Sequence, residues 1–328
     1  TRVDRIDYSN DTAVASARGP LTATRRYISA AGNSSYGYVA GGTPAPGYMS
    51  SVDRIDYADD TATATPKGPL PYVLLGYGMT GNADYGYVNG GFNAVPGSNN
   101  WISSVNRIDY ANDTATAAPK GPLSQARRNK STGSTSYGWS GGGSTNGHAG
   151  TSTIDRIDFS NDTATASVRG PLSGTRTNLY TASAQANAKP QLNPAAPKVP
   201  QTVDKGADGY QTSTLGPAYG YTVGGLSYSL YQRVDYSNDT ATASNQAHTS
   251  NPSGLSLSVG NNTHAYTWVS GGQGQFSSIV ERYNYSDDTT NSTAKGNFPG
   301  EKSYLAGVVG NADYGYFMGG RNPGNSDT

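Results

Sequence analysis

Short stretches in which apolar and polar residues alternate recur along the whole chain, separated by Gly, Asn, Asp and Pro. Val3-Asp-Arg-Ile-Asp-Tyr8 is β-branched and aromatic, with Arg5 and Asp7 on one face and Ile6 and Tyr8 on the other, so it predicts a strand. Ser-Asn-Asp follows as a turn, because these side chains bond nearby backbone and tolerate left-handed dihedrals. Thr12–Ser16 is expected as the next strand of a hairpin. Gly19-Pro20 then interrupts pairing, since Pro has no N–H to give. Tyr27–Ala31 and Tyr36–Ala40 are expected as two further strands around a tight Gly32-Asn33 turn. No segment has a convincing helical period, and glycines at this frequency would cost about 1 kcal/mol each inside helices.

The pattern repeats. The signature strand returns at 52–61, 105–114, 154–163, 231–240 and 280–289, with its arginine at Arg5, Arg54, Arg107, Arg156, Arg233 and Arg282. An aromatic stretch running into Gly-Gly also occurs six times, ending at Gly42, Gly91, Gly142, Gly225, Gly272 and Gly320. Between them lies a basic-Gly-Pro-Leu segment at 18–21, 67–70, 120–123 and 169–172, followed four residues after the Leu by Arg25, Arg127 and Arg176. Repeat five lacks it, reading Ala247-His-Thr-Ser250, and repeat six keeps only Lys295-Gly-Asn-Phe298.

Four short strands in about 50 residues is the size of a kelch propeller blade, and the sequence resembles the kelch repeat family. Tyr36-Gly-Tyr-Val-Ala-Gly-Gly42 is similar to that family's double-glycine strand, Val3–Tyr8 to the strand that follows it, and the Pro-Leu…Arg segment to its connecting loop. The family's usual Trp after the turn is replaced by Thr-Ala-Thr. The resemblance implies an all-β fold, a six-bladed kelch-like β-propeller with four antiparallel strands per blade. It would form one domain over 1–328, with an insertion in the fourth blade at about 184–217. The stretch from Gly320 to the C-terminus plus that from the N-terminus to Arg5 matches the internal Gly-Gly to Arg distances. The last blade is therefore expected to be closed by the N-terminal hairpin.

Composition narrows the function. The 328 residues carry 23 basic and 23 acidic side chains, which argues against an electrostatic grip on nucleic acid. No apolar run is long enough for a membrane-spanning helix, so no membrane insertion is expected. The absence of Cys excludes disulfides and thiolate metal sites. His148, His248 and His264 lack ligand spacing, and Glu occurs only at 281 and 301. No catalytic residue, metal site or cofactor is expected, and the chain is read as a non-enzyme. The six signature arginines are read as structural, partly buried and bonded to a carboxylate or to backbone carbonyls, setting register.

Binding residues are sought where the repeats differ. The loops after each Gly-Gly vary, and with the Gly-Pro-Leu connections they are expected on one face, carrying Tyr48, Asn99, Asn100, Trp101, His148 and Tyr228. Aromatic rings beside Asn and Ser suit sugar or protein contacts. The Asp-Arg-Ile-Asp-Tyr-Ser-Asn-Asp-Thr-Ala-Thr and basic-Gly-Pro-Leu-Ser segments resemble repeats in virion structural proteins of marine and cyanobacterial tailed phages. That resemblance implies an extracellular particle component: a tail fibre, adhesin or capsid-associated protein. Its partners would be other virion proteins, further copies of itself, or a glycan or protein of the host surface. A secreted bacterial lectin-like module and a propeller hydrolase with a central-tunnel site are the alternatives from other classes.

Overall fold

The computed structural model describes residues 2–43, 47–93, 100–146, 149–177, 180–183, 219–224, 229–250, 256–269, 275–303, 307–320 and 323. Among them there is no α-helix, and six four-stranded antiparallel sheets account for most of the regular structure. Each has the same plan. An inner strand pairs with the aromatic-glycine strand, which pairs with the signature strand, which pairs with a short outer strand.

The inner strands of sheets one to six are Ser29–Gly32, Gly78–Gly81, Arg128–Gly133, Tyr180–Ser183, Ser256–Gly260 and Gly307–Gly310. The aromatic-glycine strands are Tyr36–Ala40, Tyr85–Asn89, Tyr137–Ser144, Tyr219–Val223, His264–Val269 and Tyr314–Met318. The signature strands of sheets one to five are Val52–Asp56, Val105–Asp109, Ile154–Asp158, Leu230–Asp235 and Val280–Asn284. Sheet six takes its signature strand, Val3–Asp7, from the other end of the chain: Val3 lies opposite Met318 and Asp7 opposite Tyr314. Each inner strand packs beside those of the sheets before and after it, and that of sheet six packs beside that of sheet one. The architecture is propeller-like.

Two expected strands move. Residues 12–15 are not a strand, and the outer strand of sheet six is Ser16–Arg18 instead. The reason is competition from the neighbouring sheet. Ala64, at the place of Ala15 in the next repeat, donates its N–H to the Pro20 carbonyl (2.9 Å), while Gly19 donates to the Asp60 carbonyl (2.8 Å). The same pair of bonds recurs at Ala117 and Gly68, Ala166 and Gly121, and Ala243 and Gly170. The Asp-Thr-Ala-Thr segment therefore satisfies its backbone across the sheet boundary rather than within its own hairpin. The expected strand Tyr27–Ala31 is in fact Ser29–Gly32, because Tyr27 has φ 56° and cannot continue a strand. The double glycine of sheet three is Gly142-Gly143, one residue later than the sequence motif places it, since those two take φ 53° and 97°. The turn after the signature strand is a single 3-10 turn at Tyr8–Asn10, with the Asp7 carboxylate accepting from the Ser9 N–H.

The core is a set of thin layers between sheets rather than one apolar centre. In all six layers a ring from one sheet stacks on a ring from the next: Tyr316 on Tyr57, Tyr38 on Tyr110, Tyr87 on Phe159, Trp139 on Tyr236, Tyr221 on Tyr285 and Tyr266 on Tyr8. Tyrosine suits such a layer, because it buries a ring while keeping a hydroxyl able to reach a partner.

Candidate functional site: the double-glycine face

The repeated charges form inter-sheet ties. Each signature arginine donates to the aspartate of the next sheet's turn: Arg5 to Asp60, Arg54 to Asp113, Arg107 to Asp162, Arg156 to Asp239, Arg233 to Asp288 and Arg282 to Asp11, at 2.6–3.0 Å. The same aspartates accept from the stacked rings: Tyr38 Oη donates to Asp113 at 2.9 Å and Trp139 Nε1 to Asp239 at 3.0 Å. The basic residue ahead of Gly-Pro adds a second cation, as Lys67 does at 3.1 Å from Asp113. Burial alone would raise the Asp113 carboxyl. The Lys67 and Tyr38 hydrogen bonds, with the charges of Arg54 and Lys67, outweigh it and hold that carboxyl below its usual range. The guanidinium of Arg54 lies 4.3 Å from the centre of the Tyr36 ring, and Arg5, Arg107, Arg156 and Arg233 repeat that placement. All six arginines are held by their aspartates, and five of them also by a ring, so the scaffold engages them.

A second set of ions is sealed completely. Arg25 and Asp53 are both wholly buried and 3.0 Å apart, as are Arg127 and Asp155 at 2.9 Å. Sheet two holds Leu74 and Asn106 at the corresponding positions, neutral on both sides. There Asn106 Nδ2 donates to Tyr72 Oη at 3.0 Å, and Tyr72 Oη meets Ser104 Oγ.

The loops after Gly-Gly and the Gly-Pro-Leu connections do share one face. Gly42 N donates to the Leu74 carbonyl, and Leu70 N to the Ser50 carbonyl. Tyr48 projects there, 52% exposed. Asn100 and Trp101 belong to a three-stranded ribbon with Phe92–Asn93 and Leu74–Leu75, in which the Trp101 ring meets the edge of Phe92. Asn99, His148, Tyr228 and the 184–217 insertion lie outside the described residues.

The structure adds a cleft of about 550 Å³ on this face that contains none of those six residues. It is lined by Ser173–Arg176 from the connection into sheet four, by Ser229 and Leu230, and by Asn245 and His248 of the sheet-four outer strand. Its sequence signal is the repeat that lost basic-Gly-Pro-Leu, because His248 stands inside the replacement segment. Ser229 Oγ and His248 Nδ1 are 3.0 Å apart. Among the described residues no carboxylate lines the cleft to orient the imidazole as an acyl-transfer triad requires. The lining offers hydroxyl, amide, imidazole and guanidinium groups, which suits hydrogen bonding to a polar ligand. Among the described residues no cluster of His, Asp and Glu could hold a metal ion, and no helix is long and apolar enough to cross a membrane.

No family model matches the chain, and no curated protein matches it. Among solved structures it is similar to one described as "Structure of YjhT", with a TM-score of 0.70 and 9% sequence identity, covering 94% of this chain and 94% of that one. A likeness at that identity extends to the propeller-like fold alone.

Proposed function

We propose that the chain is a six-bladed, kelch-like propeller that acts as a rigid, non-catalytic binding platform of a phage virion, engaging protein or glycan through its double-glycine face. The pairing of Val3–Asp7 with Tyr314–Met318 supports a last blade assembled from both ends of the chain. One observation carries the binding role. The residues repeated in every sheet are consumed in holding sheet to sheet, whereas the polar and aromatic residues that differ between sheets gather on one face. A stiff scaffold with variable loops is what recognition requires.

The virion assignment rests on the sequence resemblance, and mass spectrometry of purified particles tests it: absence of the chain from particles whose genome encodes it defeats that part. Binding is tested on a glycan array beside a turnover assay on a polysaccharide panel. Saturable binding without turnover supports the platform. Turnover abolished by His248→Ala would replace it with a hydrolase.

A further inference from the structure

Among the described residues most arginines face a carboxylate, and two on the double-glycine face do not. The signature arginines and the basic residues ahead of Gly-Pro face aspartates, and Arg25 and Arg127 bury carboxylates. Arg26 and Arg128, each next in sequence to one of those buried arginines, have no carboxylate within ion-pair distance among the described residues. Their polar and ring partners are Thr43 Oγ1 for Arg26 and the rings of Tyr27 and Trp101.

Counting from the buried Leu of each connection, Arg26 and Arg128 fall at one repeat position, where sheet two has Leu75 and sheet four Thr177. They come from sheets one and three, yet they converge. The guanidinium carbons of Arg26 and Arg128 lie 5.7 and 5.8 Å from the centre of the same ring, Tyr27, and that of Arg128 also lies 5.7 Å from the Trp101 ring.

The convergence is built into the backbone. Tyr27 is the only described non-glycine residue with positive φ, at 56°, a conformation that costs an L-residue roughly 1 kcal/mol. Its counterpart in sheet two is Gly76, φ 63°, where a Cβ would stand 2.3 Å from Arg128 Nε. A glycine there leaves the path by which Arg128 crosses sheet two. Lys130, on the same inner strand as Arg128, turns its Nζ to the Tyr77 carbonyl. Desolvation first, and Arg128 second, pull that ammonium down to about 7. Two guanidinium groups set around the exposed Tyr27 ring and the partly buried Trp101 ring match an oxyanion able to accept from both forks, and two permanent positive charges favour a dianion over a single carboxylate.

We propose that Arg26 and Arg128, set around Tyr27 and Trp101, form a binding site for a phosphate-class oxyanion, either free or carried on a sugar. The site deepens the platform reading by naming a ligand class for the same face, and it rests on that reading only for its biological setting.

Calorimetric titration of the full chain with inorganic phosphate, and separately with mannose 6-phosphate, tests it. The expected result is saturable one-to-one binding, weakened at least tenfold by R26L/R128L, which installs the residue sheet two already holds there. Tighter binding of the sugar phosphate than of phosphate supports a carried ligand stacked on the rings, and equal affinity supports the free ion. No saturable binding, or equal binding by R26L/R128L in a folded state, overturns the site. If the double variant fails to fold, the single variants R26L and R128L are read in the same way. Glycan-array binding that survives R26L/R128L while phosphate binding is absent sinks this site and leaves the platform. Phosphate binding without glycan binding or a virion location does the reverse.

Discussion

Sheet two shows how the protein does without a buried ion pair, and the same change can be made in sheet one. Arg25→Leu removes a guanidinium from wholly buried surroundings and leaves Asp53 charged with its closest cation gone. Breaking such a pair from one side costs about 3–5 kcal/mol. Asp53→Asn added to it should recover most of that loss. The Asn oxygen can still accept from Thr22, whose N–H and Oγ1 lie 3.0 and 2.8 Å from the carboxylate. What stays lost is the pair of donations from Arg25 Nη1 to the Gly41 and Ser51 carbonyls, at 3.3 and 3.2 Å, on the order of 1 kcal/mol each. Sheet two instead fills the space with Tyr72, at the position of Ala23, whose hydroxyl accepts from Asn106 and meets Ser104 Oγ, so Ala23→Tyr in the double background should regain part of the remainder through the new amide at position 53 and Ser51. Urea unfolding followed by tyrosine fluorescence gives the three stabilities. R25L should be the least stable and the triple variant the closest to wild type. If R25L/D53N is as unstable as R25L or worse, the neutral pair is not an equivalent solution, and the reasoning fails.

Three further outcomes follow from the same geometry. Gly68→Ala places a methyl 2.0 Å from the Ala115 carbonyl oxygen and should cost about 1–3 kcal/mol by overpacking, whereas Gly174→Ala, with open space around it, should lie within about 0.5 kcal/mol of wild type in the same urea assay. Lys130 titrates near 7 in the fold and near 10.4 unfolded, so the unfolded chain binds more protons between those values and stability should rise with pH across that window. Lys130→Met should remove the rise and be more stable than wild type at pH 7, as unfolding midpoints at pH 6.5 and 9 would show. Asp113→Asn strips a carboxylate that accepts from Arg54, Lys67 and Tyr38 and should cost about 3 kcal/mol at pH 7. Because the Asp113 pKa is lowered in the fold, that contribution is present above the ordinary carboxylate pKa and lost as pH falls, so the gap between wild type and D113N should close in acid.

The repeat and its strands are legible because each signature strand keeps a two-residue period between turn residues, and its burial alternates over the last four residues, as from Asp4 to Asp7. The arginine of Val-Asp-Arg-Ile-Asp can be recognised as structural, but its acceptor cannot. Asp60 reads locally as one more turn residue, and Arg5 reaches it across a sheet boundary, 55 residues along the chain. The outer strand shifts from its expected place for the same reason: the bond that captures Ala64 comes from Pro20, which no local pattern reveals. The basic cluster is hidden twice over. Arg25-Arg26 and Arg127-Arg128 look like matching doublets in sequence, while in space the first member of each is buried with an aspartate and the second turns to Tyr27. Only Tyr48, Asn100 and Trp101, of the residues singled out from loop variation, fall among the described residues, and Trp101 alone of these meets the cluster.

The proposed closure of the propeller depends most on Val3–Asp7 and Tyr314–Met318 sharing one sheet. With no native cysteine, Asp7→Cys with Tyr314→Cys reports on it directly, since these residues face each other across the antiparallel pair and cross-strand neighbours lie within disulfide range. Mild oxidation of the folded monomer, followed by mass spectrometry of the digest, should find the peptides carrying positions 7 and 314 joined within one chain, in native but not in urea-unfolded protein. Free thiols in the folded state, or a bond formed only between chains, would contradict the shared sheet and the propeller built on it.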